Sequence, residues 1–183
     1  MCASPVPYRS ERFDAARDCE SRPPRLMSAN IQRPRFDEPR DYEGFSCLRA
    51  RIGRQVGTEK IGLSLFEVPP GQAAYPYHWH VAEEELIIVI AGRPELRTPE
   101  GWRELEPGEV IAFAAGERGA HQLVNRSDET VRFLAFSNQQ PDIIVRPDSS
   151  TIGLAERRPE GGGLAYHFRI ADAVAYIEGE QAP

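Results

Sequence analysis

Between Phe45 and Arg146 the chain is cut into short apolar runs by turn residues, at intervals too short for helices. The runs cover 45–52, 61–68, 85–91, 95–98, 102–105, 109–113, 121–125, 131–136 and 142–146. Between them lie Pro69-Pro70-Gly71, Arg93-Pro94, Pro99-Glu100-Gly101, Pro107-Gly108 and Arg126-Ser127-Asp128. Several short strands at near-regular spacing, with no long helical period, read as an all-β sandwich or barrel.

Either side of this region the texture changes. Residues 1–40 are rich in Arg, Pro, Asp, Glu and Ser and poor in large apolar residues, so they read as a flexible N-terminal segment. Met27-Ser-Ala-Asn30 offers a second translation start, which would place 1–26 outside the native protein. The barrel is assigned to 41–147, and 148–183 to a C-terminal extension. In that extension Pro147 to Thr151 reads as a turn, Glu160 to Gly163 as a mobile loop and Leu164–Ile170 as a final strand. Ala171 to Tyr176 reads as one helical turn or a short strand. The net charge of −6 argues against a nucleic-acid partner, since no continuous basic face is available to neutralise phosphates. No apolar run approaches the ~20 residues of a membrane helix, and 1–26 lack the apolar centre of a secretory signal. Cys2, Cys19 and Cys47, odd in number and irregular in spacing, suggest ordinary thiols of a cytoplasmic protein.

The chemistry concentrates at His78-Trp79-His80. Of the four histidines, three (78, 80 and 121) fall in this region and only His167 lies apart, where it reads as a surface or interface residue. Two residues apart on a strand, side chains project from one face ~7 Å apart, so His-x-His aims two imidazoles at a common point. Glu85 opens the run Glu85-Leu-Ile-Ile-Val-Ile-Ala-Gly92, and His121 opens His121-Gln-Leu-Val-Asn125. Three neutral imidazoles and a carboxylate suit zinc, nickel, iron, manganese or copper. Four such ligands leave two open positions on an octahedral ion, which is the arrangement of a catalytic and not a closed structural site.

At these residues the chain resembles the cupins. The first cupin motif appears as Gly71, six residues, His78-Trp79-His80, four residues, Glu85, six residues, Gly92. Glu84 competes with Glu85, but only Glu85 stands six residues before Gly92. The second appears as Gly108, five residues, Ala114-Ala115-Gly116, four residues, His121, three residues, Asn125. Gly71 is one residue further from His78 than the pattern, Ala114 replaces a proline, and the Gly116–His121 loop is two residues longer. The resemblance implies a double-stranded β-helix, or jelly roll, with His78, His80, Glu85 and His121 holding one metal inside it. It also implies a range of activities, among them dioxygenase, decarboxylase, lyase and isomerase.

A pocket for a small organic ligand is expected around Tyr75, Tyr77, Phe113, Arg132 and Phe136, with Arg132 suited to an anionic group. Alternation does not decide the inward face of 131–136, because Val131, Phe133 and Ala135 are as apolar as Leu134 and Phe136. Three readings follow: a metal-dependent enzyme on a small substrate, a non-catalytic ligand-binding or sensing module, and a structural or storage protein. The enzyme reading leads, since no effector domain accompanies the barrel and the ligand set is intact. Leu86–Ala91 is apolar on both faces, so either other parts of the chain or a second subunit must cover it. Small cupins resembling this chain commonly dimerise, and a homodimer is expected.

Overall fold

The computed structural model describes residues 27–156 and 163–181. Their strands, in chain order, are β1 (Leu48–Ala50), β2 (Gly62–Val68), β3 (Trp79–His80), β4 (Glu85–Ala91), β5 (Glu95–Thr98) and β6 (Gly101–Glu104), then β7 (Val110–Phe113), β8 (Gln122–Val124), β9 (Val131–Ser137), β10 (Asp142–Arg146), β11 (Thr151–Ala155) and β12 (Ala165–Arg169). One α-helical turn, α1 (Ile52–Gln55), and 3₁₀ turns at Glu117–Gly119 and Ile170–Asp172 complete the elements. Among the described residues no helix is long and apolar enough to cross a membrane. The expected strands recur almost residue for residue. β11 is added in the stretch after the Pro147 turn, and the expected run 45–52 is shortened by α1.

Two walls face each other. One is the five-stranded sheet β1-β2-β9-β4-β7. The other is made of β12-β11-β10-β3 and β6-β5-β8, joined by the bridges His78↔His121 and Ala73↔Val124. Among the described residues the strands pair antiparallel, and along each strand side chains alternate between interior and exterior. Phe66, Val68, Ile87, Val89, Leu96, Phe113, Leu123, Val131 and Phe133 fill the interior. Phe66 and Phe133, partners in register, stack at 4.9 Å.

The register decides what alternation alone leaves open. Phe133 and Ala135 pair with Phe66 and Ser64 and point inward; Arg132, Leu134 and Phe136 point outward. On that outer face Ala50, Ile52, Leu65 and Leu134 form a second core, with Ile31, Phe36, Leu63, Ile88, Ile90 and Phe136 packed against it. The two apolar faces of Leu86–Ala91 are therefore covered within one chain. Residues 1–26 of the expected flexible segment lie outside the described residues. Residues 27–40 contain no strand or helix, yet Ile31 and Phe36 seat them on the second core. Glu38 ties them further, to Arg40, Arg49 and Arg51. Burial pushes the Glu38 carboxyl up, but the three guanidinium groups outweigh it and hold the group at about 2.

Gly92 turns the chain out of β4 at φ +74°, where a Cβ would meet Val131 Cγ2 at 2.9 Å, so only glycine fits. Asn125, 1% exposed, holds the turn between β8 and β9. Its amide donates to the carbonyls of Val68 (2.8 Å) and Glu129 (2.7 Å), and its side-chain oxygen accepts from Ser127 N (3.0 Å) and Oγ (2.7 Å). Asn125→Ala is expected to destabilise the barrel by roughly 1–3 kcal/mol for each buried group left unpaired. Urea unfolding checks this as a lower midpoint at unchanged slope.

Candidate metal centre

His80 lies on β3, Glu85 opens β4, and His78 and His121 face each other across a two-way backbone bridge, N–H···O 3.1 Å and 2.8 Å. The longer loop before His121 is taken up by the 3₁₀ turn Glu117–Gly119. There Gly119 packs so closely on Ala114 that a Cβ would stand 1.9 Å from its carbonyl oxygen. The loop thus returns His121 to its place opposite His78.

All four side chains converge. His78 Nε2 lies 3.0 Å from His80 Nε2, and Glu85 Oε2 lies 3.3 Å from His80 Nε2 and 3.2 Å from His121 Nε2. His78, His80 and His121 are 9%, 6% and 1% exposed. Each imidazole commits its other nitrogen to an acceptor. His78 Nδ1 donates to Pro76 O at 2.9 Å, His121 Nδ1 to Gly119 O at 2.9 Å, and His80 Nδ1 to Asp142 Oδ2 at 2.5 Å. With Nδ1 carrying the proton, every neutral ring presents a bare Nε2 lone pair to the common centre. His121 Nε2 is buried with no hydrogen-bond partner, because its approach to Glu85 lacks hydrogen-bond geometry.

Facing lone pairs repel unless a proton or a cation lies between them. Donors ~2.1 Å from one ion are ~3.0 Å apart at a right angle and ~3.4 Å apart at a tetrahedral angle, the range of spacings found here. The residues present therefore fit a divalent cation, and the possible donor groups are His78, Glu85, His121 and His80, Glu83, Glu85, sharing Glu85.

Electrostatics divides the imidazoles. Burial, with His121 and His80 nearby, drives His78 down to about 3. Burial also pushes His80 down, but Asp142 and Glu85 more than reverse it and raise the group to about 9. Burial would raise Glu85; His121 and His80 outweigh it and hold the carboxyl well below its usual range. Tyr75 is raised well above its ordinary value by burial and by the Glu85 charge.

The expected pocket residues separate. Tyr75 stands edge-on to His78 (5.0 Å) and His121 (5.5 Å), and Phe113 stacks on His121 at 3.8 Å. Tyr77 turns away beneath the Arg97 guanidinium, 4.0 Å from its ring centre. Arg132 pairs with Glu67 on the outer face, away from the histidines; Phe136 follows it onto the second core, although it also borders the cavity over the histidines. Phase explains both: inward-facing Phe133 sends its neighbours outward. Glu84 is exposed, whereas Glu83 is 1% exposed, with Oε2 3.7 Å from His80 Nδ1. Sequence reasoning missed Asp142 and Glu83. Asp142 is 62 residues from His80, and only the pairing of β10 with β3 brings it there. A cavity of about 1400 Å³ opens over His78, His80, Glu85 and Tyr75 and is bounded by residues 35–54 and by β10–β12.

Residues 64–137 match the family profile described as Cupin domain. With the two-walled barrel, that match establishes a cupin domain in this chain. Among solved structures, a putative sugar phosphate isomerase from Acidithiobacillus ferrooxidans superposes with a TM-score of 0.71 at 22% identity, over 82% of this chain and 97% of its own. A cupin-superfamily sugar phosphate isomerase from Silicibacter pomeroyi gives 0.68 at 22% identity, over 81% and 96%. A polyketide cyclase from Streptomyces resistomycificus gives 0.52 at 25% identity, over 61% and 78%. No curated protein matches the chain.

Two outcomes are expected. Asp142→Asn removes the charge that orients His80 and, above about pH 9 where proton competition at His80 has ended, should weaken divalent-metal affinity by ~10–100-fold, read by competition with a chelator. His80, raised to about 9, keeps its proton at pH 7 in the metal-free protein, and a metal must displace it. Apparent affinity should therefore climb about tenfold per pH unit from pH 7 to about 9 and then level off. Calorimetry in buffers of different ionisation enthalpy would count the released proton.

Proposed function

We propose that the chain is a metal-dependent enzyme acting on a small organic substrate, with His78, His80, Glu85 and His121 holding one divalent transition metal. The observation that supports it most is the convergence of three Nε2 atoms, each imidazole held by a hydrogen bond at its Nδ1, with the Glu85 carboxylate. When bound, zinc or manganese would supply Lewis-acid chemistry suited to isomerisation or decarboxylation, and iron, copper or nickel chemistry suited to oxygenation. The chain's own part is orientation and exclusion of water. Asp142 fixes the plane of His80, Phe113 fixes that of His121, and Tyr75, Phe66 and Phe133 form a continuous aromatic wall beside the centre. Imidazole and carboxylate accept all five metals, so measured content, not ligand type, identifies the ion.

The partner in solution is proposed to be a second copy. The outer face of β10–β12 exposes Ile143, Leu154, Tyr166 and Phe168 at 39%, 37%, 51% and 48%. These residues are neighbours in register, Ile143 beside Leu154 beside Tyr166. A contiguous apolar sheet face of this kind is the usual mark of an interface. Buried Cys47, a free thiol, accords with the cytoplasm.

Elemental analysis of protein purified without added metal tests the first proposal. About one equivalent per chain is expected, falling below a tenth in His78→Ala/His121→Ala; no uptake even on reconstitution would overturn it. Light scattering tests the second: about twice 20.5 kDa for the native chain and 20.5 kDa for Tyr166→Glu/Phe168→Glu are expected.

A further inference from the structure

Among the described residues Arg146, on the cavity wall, has no carboxylate at ion-pair distance. In β10 Ile144 pairs with His80 and Val145 with Trp79, so alternation puts Asp142, Ile144 and Arg146 on the face that carries His80. The Asp142–His80 contact at 2.5 Å bears this out. Arg146 follows Ile144 by two residues, ~7 Å along the strand, which brings it level with His78 at the rim of the same cavity. Among the described residues no carboxylate reaches ion-pair distance of Arg146. Asp148, the next acid along the chain, is gripped by Arg97 at 2.6 Å and 3.0 Å. Three other arginines of this cavity, Arg40, Arg49 and Arg51, are all engaged by Glu38.

The Arg146 guanidinium is nevertheless seated. Its Nη1 donates to His167 Nδ1 at 3.3 Å, which requires a neutral ring with its proton on Nε2. Gly153 supplies the seat: a Cβ there would stand 3.2 Å from both Nη1 and Nη2 and 3.0 Å from His167 Nδ1. A side chain on that β11 position would push both groups away. Half-burying a guanidinium without a counter-charge is unfavourable, and desolvation alone lowers its pKa with no acid opposing it. A planar, fixed guanidinium beside a second N–H donor suits two oxygens of one oxyanion.

We infer that Arg146, seated on Gly153 and steadied by His167, receives the anionic oxyacid group, carboxylate or phosphate, of the substrate handled at the His/Glu centre. This rests on the metal-enzyme reading for the word substrate, but the anion site stands on its own geometry. Sequence reasoning assigned this role to Arg132, which the register turns outward.

The test titrates inorganic phosphate and acetate into native protein, Arg146→Gln and Gly153→Ala, each with its metal content and melting temperature measured. With only four histidines, ¹⁵N-labelled imidazole spectra read the His167 ring directly. Anion addition is expected to shift the His167 resonances in the native protein. Affinity should fall at least tenfold in both variants, with metal content and melting temperature unchanged. Tighter phosphate than acetate binding would mark a phosphate ester, the reverse a carboxylic acid. Anion affinity in Arg146→Gln equal to native would overturn the inference whatever the metal content. Arg146-dependent binding by a protein that takes up no metal would uphold the anion site while removing the enzyme reading.

Discussion

Burying three imidazoles against one carboxylate obliges the surrounding backbone to take up every Nδ1 proton. The carbonyls of Pro76 and Gly119 and the carboxylate of Asp142 do so, and each comes from a segment whose path would otherwise be free. The Pro76 turn must bend back toward His78, the 3₁₀ turn must deliver Gly119 within two residues of His121, and β10 must run beside β3. The closure of the second wall, the longer loop and the site are thus one constraint seen from three sides. Where the imidazoles meet, the proton held by His80 and the unpartnered Nε2 of His121 stand where a cation would bind.

The two faces of the molecule solve the burial problem differently. Over the five-stranded sheet, residues 27–40 and α1 supply Ile31, Phe36 and Ile52 as a cover, clipped by Glu38 to three arginines. Over β10–β12 the described residues supply none, and Tyr166 and Phe168 remain at the surface. The same asymmetry shapes the cavity. One wall gathers Arg40, Arg49 and Arg51 around Glu38, while on the opposite rim no described carboxylate reaches ion-pair distance of Arg146. In an acidic chain with a net charge of −6, a guanidinium at that rim is where the inferred anion site would work against the overall field.

Much of this was legible beforehand. Strand positions from 61 to 146 followed from apolar runs and turn residues, because a turn at Pro99-Glu100-Gly101 or Pro107-Gly108 needs no distant partner to form. His78, His80, Glu85 and His121 stood out because their spacing matches strand alternation and the cupin pattern. The inward face of β9 was not legible. Val131, Phe133 and Ala135 match Arg132, Leu134 and Phe136 in apolar character, since both faces are buried, one in the barrel and one beneath residues 27–40.

The amino-acid sequence by itself determined the all-β class, written in local periodicity and turn chemistry, and pointed to the four donors through His-x-His alternation and the resemblance to the cupins. Only the tertiary structure decided that Asp142 backs His80, that Arg132 pairs with Glu67 on the outer face, and that Arg146 faces in. Those outcomes depend on which strand lies beside which and in what register. Pairing across 62 residues is set by the packing of the whole barrel, and a shift of one residue would exchange every inward side chain for its outward neighbour.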